Sequence, residues 1–414
     1  MHALEKILAH RAGLDKVEAG QIVNCKIDFA EINDLYLQTL YSFWEMGGDR
    51  VYDREKVAFV FDHYSPAPTI KAAQNHKEMR EFARNQKLIY HFDINKGVCH
   101  QVLPEAGLVY PGMILVATDS HTTTHGAFGA FGTGVGATDM ATILISGELW
   151  FRVPEVIKIE INGKPKENVF AKDVILHILG QVKADGAVYR AIEYTGDYVK
   201  NLGVSERMVL CNMAVEMGAK TAYIDPNDKV IEYVKDRTDK EFTIYKTDED
   251  YEYADHLVFD IEGLEPQLSA PHSVDNNVSI QEGLGVKIDQ GFIGSCTGGR
   301  LEDIEAGWKI LKGKKIHPDV RLVILPASDE VQYKAMEKGY MEDLMKAGAT
   351  FGAPGCGPCL GTHAGVLTEG EVCITSTNRN FPGRMGDRGS SIYLASPATV
   401  AASALYGEIT EPEI

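Results

Sequence analysis

The sequence predicts an α/β protein, three α/β domains around a central cleft, and three observations carry that prediction. Short apolar runs of strand length recur between helical stretches, as buried parallel strands do. Several of them lead into chemically reactive residues: Asp62-His63, Asp119-Ser120-His121, Cys296 and Asn378-Arg379. Ligands of open α/β sheets bind beyond the carboxyl ends of strands, so four such ends point to several sheets facing one cleft. The chain, at 414 residues, is also long for one core, and two or three domains are expected.

The first domain, 1–153, holds the runs Lys56–Phe61, Lys87–Phe92 and Met113–Ala117, with a helix from Thr69 to Gln86 between the first two. The second, 154–256, opens with the alternating strand Val156–Ile161. Asn162-Gly163 then signals a hairpin turn, and Ala171 to Val182 reads as a helix. The charged stretch 236–254 reads as surface. The third, 257–414, carries Gly291–Gly294 leading into Cys296, the apolar run Val320–Leu325, and a helix opened by Ser328-Asp329-Glu330 and running to about Ala347. Its last strand is read over Glu371–Thr375.

Composition excludes several classes. A net charge of −18 argues against a nucleic-acid or anionic-membrane surface, although local arginines suffice for a small anionic substrate. No apolar run approaches the roughly 18 residues of a membrane span, and the charged N-terminus Met1–Lys6 does not read as a signal peptide. Seven cysteines, an odd number without framework spacing, suit a reducing cytoplasm and metal ligation better than disulfides.

Three of them, Cys296, Cys356 and Cys359, lie in glycine-rich stretches, Gly294–Arg300 and Gly352–Gly361. Their spacing admits a metal cluster, a Cys3His zinc site completed by His363, or a redox dithiol at Cys356-x-x-Cys359. Three thiolates on a cluster would leave one metal corner open to substrate. Cys25, Cys99, Cys211 and Cys373 read as small buried hydrophobes.

Asp119-Ser120-His121 is a poor catalytic triad, because a triad is assembled in space and not along the chain. It reads better as cleft-facing acid–base residues combined with a helix N-cap. The run Gly126–Ala137 contains a GxGxxA but reads as tight packing or close backbone approach more than as a dinucleotide site. Arg379 and Arg384, five apart in one loop, suit a carboxylate better than a surface ion pair when they lie beside a reactive strand end.

Together, Thr118-Asp119-Ser120-His121-Thr122, Gly294-Ser295-Cys296-Thr297-Gly298-Gly299-Arg300, Gly355-Cys356-Gly357-Pro358-Cys359-Leu360-Gly361 and Asn378-Arg379-Asn380-Phe381-Pro382-Gly383-Arg384 resemble the aconitase superfamily. The likeness spans essentially the whole chain and is greatest to the large-subunit branch of 3-isopropylmalate dehydratases and homoaconitases. It implies a [4Fe-4S] cluster on Cys296, Cys356 and Cys359, whose open iron takes a 2-hydroxy dicarboxylic acid. It implies three acid–histidine sets: Asp62 with His63, His100 with Asp119, and His121 with Glu216. Asn33, Ser120, Asn212, Asn378, Arg379 and Arg384 match substrate- or cluster-facing positions. Asn33, followed by Leu35-Tyr36-Leu37, departs from the family's His or Gln and later Thr, which bears on substrate identity. The chain ends soon after Leu405 where full-length aconitases continue into a mobile fourth (swivel) domain. The resemblance therefore implies a separate small subunit that supplies this domain and a serine base, and an isolated chain unable to complete turnover. An RNA-binding regulatory relative is the alternative of another class, and the charge counts against it.

Overall fold

A computed structural model describes residues 1–413 of the chain. Its first sheet has five parallel strands in the spatial order Tyr90–Phe92, Val57–Val60, Phe29–Asn33, Ile114–Ala117 and Phe131–Gly134. Phe29–Asn33 comes first in sequence yet lies at the centre, so the strand order reverses beside it. Crevices at such reversals take ligands. Val57–Val60 and Ile114–Ala117 are wholly buried, as their continuous apolar character predicts. The helix Ile70–Gln86 begins at Thr69, whose hydroxyl caps Ala72 N at 3.1 Å, and ends at Lys87 in a left-handed conformation.

The middle sheet is parallel and ordered Thr221–Tyr223, Ala191–Thr195, Val156–Asn162, Asp255–Asp260. Two expectations change here. Asn162-Gly163 does not close a hairpin, because Val156–Asn162 is flanked on both sides by parallel neighbours. The Asn162 carboxamide instead accepts a hydrogen bond from Asp197 N at 3.0 Å. The boundary expected at 256/257 falls inside Asp255–Asp260, a strand of this sheet.

The third sheet has seven strands, ordered Asn277–Ser279, Gln267–Ser269, Ser391–Leu394, Val372–Thr375, Gln290–Ile293, Arg321–Ile324 and Thr350–Phe351. The last five of these are mutually parallel. Gln290–Ile293 is first in sequence among those five and again lies inside the sheet, giving a second reversal, beside Val372–Thr375. Ser391–Leu394 follows Val372–Thr375, so the strand expected to be last is not; Ser-Ile-Tyr-Leu is short and half-buried, a weak signal by itself. The helix from Ser328 breaks at Gly339, which sits at φ +75°, into Asp329–Glu337 and Tyr340–Ala347.

The segment 236–254 is more than surface. Tyr245, Tyr251 and Tyr253 pack on the apolar core of the first sheet, and Asp248 receives the Met1 ammonium at 2.5 Å. Its charges meet water while its tyrosines cover core, a division amphipathic side chains allow. Among the described residues no helix is long and apolar enough to cross a membrane.

Candidate active site

Residues after the two strands flanking Phe29–Asn33 in the first sheet, and after two adjacent strands of the third, meet at one narrow cleft. Asp62, His63, His100, Asp119 and His121 line it from one side, and Ser295, Cys296, Cys356, Cys359, Asn378 and Arg384 from the other.

On the first side, His63 Nδ1 lies 2.6 Å from Asp62 Oδ1 and His63 Nε2 3.5 Å from Asp119 Oδ2. The turn that presents His63 is held by Asp34, whose oxygens accept from His63 N at 3.0 Å, Tyr64 N at 2.8 Å and His76 Nε2 at 2.9 Å. Asp62 Oδ2 accepts from Cys99 N at 2.8 Å, so both Asp62 oxygens are committed. Burial works against a charged His63, but the neighbouring Asp62, Cys356 and Asp119 raise its pKa well above the usual imidazole range.

Asp119 caps the following short helix through His121 N at 2.7 Å and accepts from His100 Nε2 at 2.9 Å. Burial opposes its ionisation; the bonds from His100, His121 and His63 prevail and hold it well below the usual carboxylate range. His121 Nε2 lies 2.8 Å from Glu216 Oε1, which also accepts from Arg379 Nε at 2.8 Å. Arg379 Nη2 donates to Ser120 Oγ at 3.0 Å. The expected pairs are therefore adjacent in space, and Asp119, through His63, His100 and His121, joins all of them.

On the second side, Cys296 sits in the short turn after Gln290–Ile293. Ser295 before it adopts φ +73°, a strained conformation for a residue other than glycine. Gly298 admits no side chain, since a Cβ there would lie 2.1 Å from Ser376 Oγ. Asn212 Nδ2 approaches Cys296 Sγ at 3.1 Å and Asn378 Nδ2 at 3.4 Å. Burial, then the Cys359 thiolate, push the Cys296 pKa up, and the two amides counteract. Arg384 Nη2 lies 3.7 Å from Cys359 Sγ, and its buried Nε has no protein partner. The Cys356 amide donates to Asp62 O at 2.8 Å, which joins the two sides. The ligand atoms of Asp62, His63 and Cys356 lie within 4.8 Å of one another.

All seven cysteines are free. Cys25, Cys99, Cys211 and Cys373 are buried as expected. The Cys3His alternative is not assembled: His363 Nε2 bonds the His63 carbonyl oxygen at 3.1 Å and does not line the cleft. Three cysteines on one cleft, two sulfurs met by amide or guanidinium donors, suit a thiophilic group that keeps an open position, and the residues fit a [4Fe-4S] cluster.

Asn33 departs from its expected place. It is 0% exposed, its Oδ1 accepts from Leu35 N at 3.1 Å and its Nδ2 points to Thr118 O at 3.4 Å, so its amide serves the backbone and not the cleft. The sequence reading also passed over Asp34, and over Lys172, which bonds Thr297 and Thr377 beside the cleft. A lysine just before the apolar run Val174-Ile175-Leu176 was the available signal. A roomier cavity, lined by Lys172, Thr297 and Arg300, contains no cysteine or histidine, so the reactive groups belong to the narrow cleft.

Comparison with known proteins agrees with this geometry. The model of the Aconitase family (aconitate hydratase) matches residues 47–285 and 281–407. The 3-isopropylmalate dehydratase large subunit 1 of Methanopyrus kandleri is 52% identical over 409 residues, covering 99% of this chain and 98% of that protein. A probable methanogen homoaconitase large subunit of Methanothermobacter thermautotrophicus is 49% identical over 418 residues, covering 100% and 98%. Among solved structures, aconitase X of Thermococcus kodakaraensis (holo-form) has a TM-score of 0.53 at 14% identity, covering 100% of this chain and 94% of that one, a likeness of fold.

Proposed function

The chain belongs to the aconitase family, and from that premise we propose that it is the large catalytic subunit of a cytoplasmic [4Fe-4S] hydro-lyase, a 3-isopropylmalate dehydratase of leucine biosynthesis. The observation that carries the reading is the meeting of Cys296, Cys356 and Cys359 with Asp62–His63 and Asp119 at one cleft. The relatives' name, large subunit, supports a separate small subunit as partner.

When bound to the three thiolates, a [4Fe-4S] cluster supplies a Lewis acid at its one open corner. The residues of this chain do the rest of what the cleft supports. With Nδ1 held by Asp62, His63 keeps Nε2 for the cleft, and a proton there is delivered to the departing hydroxyl as the C–O bond breaks. Water leaves, and the pair of electrons from the neighbouring C–H bond forms the double bond. The base that takes the C–H proton comes from the small subunit. Rehydration in the reverse sense, with hydroxyl and hydrogen exchanged, gives the isomer. Arg379, braced by Glu216 and Ser120, and Arg384, with its free buried Nε, offer fixed guanidinium forks to the substrate carboxylates. Asn212 and Asn378 steady the Cys296 sulfur.

Homoaconitase is the second reading, favoured by the 49% identity to a probable homoaconitase large subunit. Anaerobic purification with the small subunit, iron and sulfide analysis, then turnover on isopropylmalate, homocitrate and dimethylmalate distinguishes the readings. Zinc without sulfide sinks the cluster; no turnover on any 2-hydroxy diacid sinks the function. The large subunit alone is expected to turn over none of them.

A further inference from the structure

Lys172 is a buried cation without a buried anion to match it. It lies in the first turn of the helix Ala171–Val182 and is 2% exposed. Its Nζ donates to Thr377 O at 2.6 Å, Ser376 O at 3.2 Å and Thr297 Oγ1 at 3.2 Å. Met213 Sδ lies at 3.8 Å. These are neutral acceptors. Among the described residues it forms no ion pair with a carboxylate. The adjacent Asp173 spends its oxygens on Phe170 N at 2.8 Å and Gln267 N at 3.0 Å.

Neutral acceptors satisfy the hydrogens of a buried ammonium but leave its charge uncompensated, and an uncompensated buried charge is strongly unfavourable. Burial pushes the Lys172 pKa down to about 8, and the groups that oppose this fall are Cys296, Cys359, Asp303 and Glu216. Asp303 is itself pushed up to about 7 by burial, so it carries its charge only in part near neutral pH, and Glu216 is already paired with His121 and Arg379. The cysteines remain. The groups that Lys172 grips belong to both loops that hold Cys296: the Thr297 hydroxyl follows the thiol, and the Thr377 carbonyl precedes Asn378, whose Nδ2 reaches Cys296 Sγ. Thr297 Oγ1 also donates to Ser376 O at 2.9 Å, tying the loops together at the same point.

We propose that Lys172 is a positioning residue and the buried counter-ion of the iron–sulfur cluster, locking the Cys296 and Asn378 loops from the helix Ala171–Val182 and offsetting the negative charge of the thiolate-bound group. The inference rests on the cluster reading above. A fixed cation favours the more negative, reduced cluster, so it raises the cluster's midpoint potential. It also stabilises the ligated thiolate, so it slows iron loss.

The test uses the full chain with its small subunit, cluster loaded anaerobically, as wild type, Lys172→Gln and Lys172→Met. Glutamine keeps a hydrogen-bond donor without the charge; methionine removes both and serves as the harsher variant. Midpoint potential, followed by the reduced-cluster electron paramagnetic resonance signal, is expected to fall in both. Iron release to a chelator is expected to quicken by roughly 10-fold in Lys172→Met, the scale typical of lost outer-shell support of a metal site. An unchanged potential in Lys172→Gln at full iron and sulfide content overturns the proposal and leaves the hydro-lyase reading standing. Wild-type protein without sulfide overturns both. If Lys172→Met does not fold, the Lys172→Gln potential decides alone.

Discussion

On the wall of the cleft built by the first sheet every histidine has its carboxylate: His63 with Asp62, His100 with Asp119, His121 with Glu216. On the wall built by the third sheet the thiols meet amides and cations: Asn212 and Asn378 at Cys296, Arg384 at Cys359. The histidines of the first wall each face an opposite charge in the folded protein, while Glu31 behind them, buried without a partner, has its carboxyl pushed well above the usual range by burial and by the neighbouring Asp62 and Asp119. The second is arranged for negative charge that Cys296 and Cys356, whose thiol pKa values burial pushes up, take on only when a cation compensates them. On the function proposed above, one wall handles protons and the other holds the cofactor. Damage to them should therefore look different.

The largest effect is expected from Cys296→Ala. It should lower turnover at least ~1,000-fold, as loss of several kcal/mol of Lewis-acid stabilisation implies, with loss of iron and sulfide by chemical analysis. The thermal midpoint of the metal-free protein should hardly move, because the first wall does not depend on the thiol. If iron and sulfide stay at wild-type levels, the division between the walls is broken.

Next comes His63→Ala. Here kcat should drop by ~100- to 10,000-fold, the usual worth of a positioned proton donor, while iron and sulfide content stays full. Cluster loss in this variant would show that the walls are not separable.

Arg379→Lys should cost less, about 10- to 100-fold in kcat/KM, from the bonds to a charged group that lysine's single ammonium cannot reproduce. The loss should appear mainly in KM, measured by steady-state kinetics; a pure kcat effect would instead make Arg379 a support of the Glu216–His121 pair.

The smallest expected effect is on pH stability. Asp119 and Glu216 both have folded pKa values below the ordinary carboxylate range. Their contribution is present above the unfolded carboxylate value of about 4 and is lost as pH falls through the folded values. His63 is raised, so its contribution is present below the unfolded imidazole value of about 6.5 and is lost as pH rises through the folded one. Thermal midpoints across pH should fall on both flanks, and Glu216→Gln should flatten the acid flank. An unaltered acid flank would remove Glu216 from the first wall's charge balance.

Much of this was legible before folding. Val57–Val60 and Ile114–Ala117 announce themselves as buried strands because parallel sheets covered on both faces need continuous apolar runs. Thr69 and Ser328 announce helix starts because their hydroxyls cap orphan amides. The cysteines, Asp62-His63 and Asp119-Ser120-His121 stood out as motifs whose residue types carry their own chemistry, while the pairings of His100 with Asp119 and of His121 with Glu216 came only with the family resemblance. Asn162-Gly163 misled, because a turn signal reports local backbone preference and not which strands become neighbours. The tyrosines of 236–254 were hidden for a related reason: a charged stretch does not say which core its aromatic rings will cover.

The sequence by itself determined the strand and helix segments, the reactive strand ends and the family, since these rest on residue type and short-range spacing. Only the tertiary structure decided that Asp119 touches three histidines, that Asn33 turns its amide to the backbone, that His363 bonds a carbonyl oxygen and leaves the thiols to themselves, and that Lys172 grips the Cys296 and Asn378 loops from a helix distant in sequence. Each of these is a contact between side chains or backbone far apart in sequence. Its energy depends on distance, direction and burial, and those exist only once the sheets have packed.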